Sequence, residues 1–154
     1  DLRARPDVMA VVHSHSVAVV PFSILKGVPF RAVCHMGGFI GICAPIFEIR
    51  DIAGEASDLL IRNSELGAGV ARTLGDGNVV LMRGHGSTVV GDRLKQAVFR
   101  AVYTENNAKL QAEAMRLGPI EPLTAGEAET TARVIDTQVD RAWDLWKMQA
   151  EGKI

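Results

Sequence analysis

The sequence has 154 residues, 23% of them charged, with a formal net charge of -1; this is chain enough for one domain and too little for two. So even a balance gives no electrostatic reason to expect nucleic acid or an anionic membrane surface as partner. Apolar runs are broken by His, Lys, Arg or Gly well short of bilayer length, so no membrane span is expected. With no charged-then-apolar leader at the start, the expected location is the cytoplasm.

The opening residues DLRARPDV read as the end of one element followed by a turn at Pro6-Asp7, as though a longer protein preceded them. Val8 to Val12 is a short, mostly β-branched run, the pattern of a central strand buried on both faces. Ser16 is placed to cap a helical stretch from Val17 to Lys26, ended by Gly27 and Pro29. Phe30 to Val33 and Ile46 to Ile49 are further short strand candidates. Asn63-Ser64 to Leu74 has helical spacing at Leu66, Val70, Ala71 and Leu74, with a stop at Gly75-Asp76-Gly77. Val79 to Met82 is another strand, and Ser87 to Val90 runs extended to Gly91.

From Asp92 the period changes. Leu94, Val98, Ala101, Val102, Asn106, Leu110 and Met115 recur at three- and four-residue steps, which predicts a long helix ending near Gly118 with these positions on one side. Thr124 through Glu127 is a capping box. It opens a second long helix with Val134, Ile135, Val139, Ala142, Leu145 and Trp146 on one side. Strands alternating with helices predict a layered α/β domain, with the two strands that lead into histidines side by side in one sheet. Cys34 and Cys43 are too few for a disulfide framework and are read as reduced, buried thiols.

Of the four histidines, three directly follow apolar runs. His13 and His15 are two apart, so in extended chain both rings point to one side and can face one ion. His85 stands between Gly84 and Gly86, which allow a sharp turn and leave room beside the ring. A strand ending in HSH and a strand ending in GHG, within one small domain, point to a divalent metal held by His13, His15 and His85. Neutral imidazole suits Zn, Mn, Fe, Co or Ni without choosing among them.

The stretches AVVHSHS and LMRGHGSTVVG, followed by the helix AVFRAVYTENNAKLQ, resemble the class II aldolase/adducin family, from about Pro6 to the end of the Asp92 helix. The resemblance implies a three-layer fold, a central mainly antiparallel sheet flanked by helices. It implies a single domain over residues 1–154 that lacks its N-terminal part. It implies one catalytic divalent metal (Zn, Mn, Fe or Co) on His13, His15 and His85, and a homo-oligomer, usually a tetramer, with sites between subunits. The family's proton-transferring Glu and its anion-binding loops would precede Asp1, so catalysis by this stretch alone is not expected.

The segment VPFRAVCHMGGFIGICAPIFEIRD looks like the decarboxylases of aromatic-ring degradation. The expected function is therefore a metal-dependent lyase that decarboxylates a hydroxylated aromatic or oxo-dicarboxylic acid. The alternatives are an aldolase or epimerase of a sugar phosphate such as fuculose or ribulose phosphate, and a non-catalytic adducin-like interaction module. His35 and Tyr103 are candidate catalytic residues; a loop histidine and a packed helix tyrosine are the plainer readings. Lys26, Arg31 and Arg83 are candidate contacts for a small anionic substrate, though each is more often a solvated surface cation. Trp143 and Trp146 are read as core or subunit contact.

Overall fold

The computed structural model describes residues 5–153; the predicted element end at residues 1–4 lies outside them. Four strands, β1 (Ala10–Ser14), β2 (Ile46–Phe47), β3 (Val79–Met82) and β4 (Gly86–Gly91), form one sheet in the order β1-β4-β3-β2. The β1·β4 and β3·β4 pairs are antiparallel and β2·β3 is parallel. The helices are α1 (Arg50–Ala53), α2 (Ser64–Leu74), α3 (Leu94–Leu117), α4 (Ala125–Asp136) and α5 (Val139–Ala150).

Alternation along the strands sends side chains into two cores, one on each face of the sheet. Val79, Leu81 and Val89 meet Phe22, Phe30, Phe39, Ala108 and Ala128 on the face covered by α3 and α4. Val80 and Val90 meet Val8, Phe47, Leu66 and Leu74 on the face covered by α2. The result is the expected three-layer α/β arrangement around a mainly antiparallel sheet. Asn63 caps α2, its Oδ1 accepting from Leu66 N at 2.9 Å. The Thr124–Glu127 capping box forms as predicted.

Several predicted elements differ in ways with a physical cause. β1 begins two residues later than expected and, among the described residues, pairs only with β4, so Val11 is 49% exposed rather than buried in a central strand. The strands leading into histidines share a sheet but are not adjacent, because β4 lies between β1 and β3. Val17 to Lys26 is a turn and a single 3-10 segment at Val20–Ser23. A longer helix would need an amide hydrogen that Pro21 lacks, and the valines before it disfavour helix. The single long final helix is two, because Thr137 and Gln138 bond three residues back and tighten the chain after Asp136. Val134 and Leu145 consequently face solvent.

Phe30 to Val33 joins no strand ladder. Its backbone is paired on one edge by the backbone of Gly41, Ala44 and Leu123 and on the other by the side-chain amides of α3. Asn107 Oδ1 accepts from Val33 N at 2.9 Å, and Asn107 Nδ2 donates to Arg31 O at 2.7 Å. Gln111 Oε1 accepts from Arg31 N at 3.0 Å, and Gln111 Nε2 donates to Pro29 O at 2.7 Å. This inverts the expected orientation of α3: Gln96, Thr104, Asn107 and Gln111 are buried, while Leu94, Val102 and Leu110 are exposed. Cys34 and Cys43 are free thiols, as read, but neither is buried: Cys34 is half-buried and Cys43 exposed.

At the other edge of the sheet, Glu48 joins two arginines. Its Oε2 lies 2.7 Å from Arg50 NH2 and 2.6 Å from Arg83 Nε. The Arg50 hydrogen bond first, with Arg83 adding, holds its carboxyl down at about 2.

Two outcomes are expected. Asn107→Ala, by stranding a buried amide hydrogen and a carbonyl of residues 31–33, costs about 3 kcal/mol in urea unfolding. Glu48 has its folded pKa depressed from 4.5 to about 2, so its contribution is full above the ordinary value and is lost as pH falls toward the folded one. The stability gap between wild type and Glu48→Gln, roughly 1 kcal/mol for partly solvated ion pairs, therefore holds at neutral pH and closes in acid.

Candidate metal centre

Antiparallel pairing sets Ser14 opposite Ser87 and His13 opposite Thr88. The C-terminal end of β1 thus meets the turn that joins β3 to β4, and that turn carries His85. Gly84 makes the turn in the left-handed region, with φ 65°, and His85 N closes it on Met82 O at 3.0 Å. Gly86 is required by the approach of β1. A Cβ there would press into Ser14 O and lie 3.2 Å from His15 Cδ2.

His13, His15 and His85 converge, each offering one ring nitrogen to a common cluster whose atoms lie within 4.8 Å of one another. His15 Nε2 is 2.9 Å from His13 Nε2 and 2.9 Å from His85 Nε2. One ring nitrogen carries either a single hydrogen or a single lone pair, so His15 Nε2 cannot make two good hydrogen bonds here. Three lone pairs aimed at one point are instead matched by a cation, and metal–nitrogen bonds of about 2.0–2.1 Å fit nitrogens so spaced. Burial first, then the neighbouring His85 and His15 rings, lower the His13 pKa. That ring resists protonation and keeps its lone pair available. His13 Nδ1 faces Thr88 Oγ1 at 3.4 Å, while the buried His85 Nδ1 has no hydrogen-bond partner.

The cluster opens into a pocket of about 440 Å³ on the α2 face of the sheet, lined also by Leu60, Ile61, Gly67, Val70, Met82 and Thr88. The sequence reading singled out none of these six as site residues. Only the strand register and the packing of α2 bring them beside the histidines. No carboxylate joins the cluster among the described residues.

The other candidates lie elsewhere. His35 opens a 3-10 segment, His35–Ile40, and with Tyr103 lines a separate cleft of about 350 Å³ beside Phe99, Arg141 and Trp146. Tyr103 is held there by ring packing, 4.5 Å between centroids to Phe99 and 6.4 Å to Trp146. The fold does not bring either residue into the lining of the histidine pocket, because α3 packs on the opposite face of the sheet. Arg83 is engaged by Glu48. Arg31 lines a groove with Gln111 and Pro119, and Lys26 is exposed. Trp146 packs against the small cluster of Phe99, Ile135 and Val139. No helix among the described residues is long and apolar enough to cross a membrane.

Comparison with known proteins gives a consistent picture. Decarboxylase tropJ of Talaromyces stipitatus is 39% identical over 167 residues, covering 95% of this chain and 62% of that protein. The 3,4-dihydroxyphthalate decarboxylase of Arthrobacter keyseri is 33% identical over 117 residues, 76% of this chain and 46% of its own length. The chain thus spans about half to two thirds of these relatives. Among solved structures, L-fuculose 1-phosphate aldolase from Glaciozyma antarctica superposes with a TM-score of 0.71 at 21% identity, covering 98% of this chain and 56% of that one. An aldolase II superfamily protein from Pseudomonas syringae gives 0.69 at 24%, covering 99% and 59%. Residues 2–112 match the class II aldolase and adducin N-terminal domain, and the chain belongs to that family.

Proposed function

We propose that this chain carries the divalent-metal centre of a carbon–carbon lyase, a decarboxylase acting on a hydroxylated aromatic or oxo-dicarboxylic acid. The convergence of three imidazole nitrogens from two strand ends carries the reading. The similarity to tropJ and to the dihydroxyphthalate decarboxylase supports the choice of reaction. A divalent ion such as Zn, Mn, Fe or Co would supply a Lewis acid for the substrate's oxygens and for the negative charge left on carbon as a carboxyl group departs.

The chain's own residues prepare that step. His13, with its lowered pKa, stays neutral and ligand-ready. Gly84 and Gly86 hold His85 and His15 in register without a side chain between them. Leu60, Ile61, Val70 and Met82 give one side of the pocket an apolar lining. When the carbon–carbon bond breaks, its electron pair stays on the substrate carbon and a proton replaces the lost carboxyl group. We assign this chain the ligand and orienting roles, and the proton donor to a group outside the triad.

A sugar-phosphate aldolase is the second reading, favoured by the superposition on L-fuculose 1-phosphate aldolase. The exposed Leu94, Val102 and Leu110 along α3 suit a homo-oligomer, which we propose to be a tetramer.

Replacing His13 or His85 by Ala is expected to remove most of the metal from protein loaded with Co or Zn, measured by elemental analysis; full occupancy in either variant would overturn the assignment. A wild-type chain that takes up neither metal would favour an adducin-like interaction module. CO₂ release from hydroxy-aromatic dicarboxylates, assayed beside aldehyde release from fuculose and ribulose phosphates, separates the two lyases. Aldehyde alone would make the protein an aldolase.

A further inference from the structure

One side of the histidine pocket is built of carbon. Leu60 and Ile61 come from the loop before α2, Gly67 and Val70 from α2, and Met82 from β3. Two features shape this wall, a glycine that the packing of the chain does not require and a turn held in an uncommon conformation.

The first is Gly67. It sits inside α2, where glycine is less favourable than alanine because it gives up more backbone freedom. A Cβ at Gly67 would meet no atom within 4 Å. Gly69, two residues on, shows the contrast: a Cβ there would lie 2.6 Å from Ile52 Cδ1 and 2.9 Å from Phe47 Cε2. Gly69 is needed by the core. Gly67 is not, and the space it leaves belongs to the pocket.

The second is Leu59, whose φ of 65° puts a bulky residue in the left-handed region, an uncommon conformation that must be held by its surroundings. Leu59 N donates to Ser57 Oγ at 3.0 Å, Leu60 N donates to Asp58 Oδ1 at 3.0 Å, and Arg62 Nε donates to Asp58 Oδ2 at 2.7 Å. The Leu59 side chain packs into the α2-face core. The turn so fixed presents Leu60, 41% exposed, and Ile61 to the pocket.

We propose that Gly67, Leu60, Ile61, Val70 and Met82 form a slot for the flat ring of an aromatic acid whose oxygen substituents reach the histidine triad, with Leu59 as the positioning residue. This rests on the reading of the triad as a lyase metal centre. A ring face gains by contact with these side chains, whereas a sugar would press hydroxyl groups against carbon with nothing to bond. The pocket's volume of about 440 Å³ lies in the range that small-molecule sites occupy.

The test fills the slot without touching a ligand. Gly67→Ala and Gly67→Leu are loaded with Co²⁺, and salicylate and lactate are titrated against the visible absorption of the bound cobalt. Both acids offer a carboxylate and a hydroxyl, but only salicylate has a ring. Both variants are expected to unfold at a higher temperature than wild type, to hold cobalt and lactate as wild type does, and to bind salicylate more weakly, by roughly tenfold or more for Gly67→Leu. Undiminished salicylate binding in Gly67→Leu would overturn the slot.

A second measurement is independent of the metal. Salicylate added to metal-free wild type should shift the methyl resonances of Leu60, Ile61, Val70 and Met82, and Gly67→Leu should abolish the shifts. Absence of those shifts in wild type overturns the slot. Failure of wild type to hold cobalt overturns the metal centre alone. Leu59→Asn, which tolerates the same backbone conformation but removes the packing that seats the turn on the α2-face core, should lose selectivity for salicylate over lactate while keeping cobalt; unchanged selectivity would remove Leu59 from the proposal.

Discussion

The pairing of β1 with β4 is the constraint on which the site depends. It sets His13 against Thr88 and brings the end of β1 to the β3–β4 turn, so three rings from distant parts of the chain meet. Strand pairing has no half-measures: a slip of one residue would send His13 to the opposite face, among the apolar side chains under α3. Gly86 guards the register, because a side chain there would collide with Ser14 and crowd His15. Three imidazoles form the cluster, but a residue with no side chain sets their spacing.

The second organising feature is the use of α3 as a surrogate strand. Segment 29–33 lies against a helix, which has no free backbone groups to offer mid-length. Asn107 and Gln111, one turn apart, supply amides that pair the segment's backbone much as a neighbouring strand would. Buried side-chain amides are costly unless every atom is bonded, and each amide here both donates and accepts. The segment next to it then turns at Gly37 and Gly38, where added side chains would strike Asn107 and α4. A polar helix face thereby pairs one edge of this segment, while Gly41, Ala44 and Leu123 pair the other.

These features explain which parts of the fold were legible in the sequence. β3 could be read because its apolar run, Val79 to Met82, is continuous, and α2 because its cap and its spacing agree. The triad was legible because HSH and GHG each follow an apolar run, and the family resemblance joined them. The orientation of α3 was not. Counting apolar positions selects Leu94, Val102 and Leu110, which face outward, since the inward face mixes Ala97, Phe99 and Ala108 with buried polar residues, among them Gln111, whose partners lie about 80 residues away in the chain. The carbon wall of the pocket was missed for a similar reason. Leu60, Ile61 and Gly67 carry no periodic signal, and only the seating of α2 on the sheet places them. Strand and helix periodicity reports on burial; it says nothing of polar groups buried together.

The two clefts divide the molecule into regions that different optical probes can observe separately. Both tryptophans lie on α5, and Trp146 stacks near Tyr103 and Phe99, with ring centroids 6.4 and 6.2 Å away. The histidine pocket lies on the other face of the sheet, and its lining contains no tryptophan or tyrosine among the described residues. Intrinsic fluorescence will therefore follow the docking of the C-terminal helices against α3 and stay largely blind to events at the histidines. Emission can report whether that layer is assembled while the ligand field of a bound cobalt ion reports on the centre, so the two halves can be watched in one cuvette.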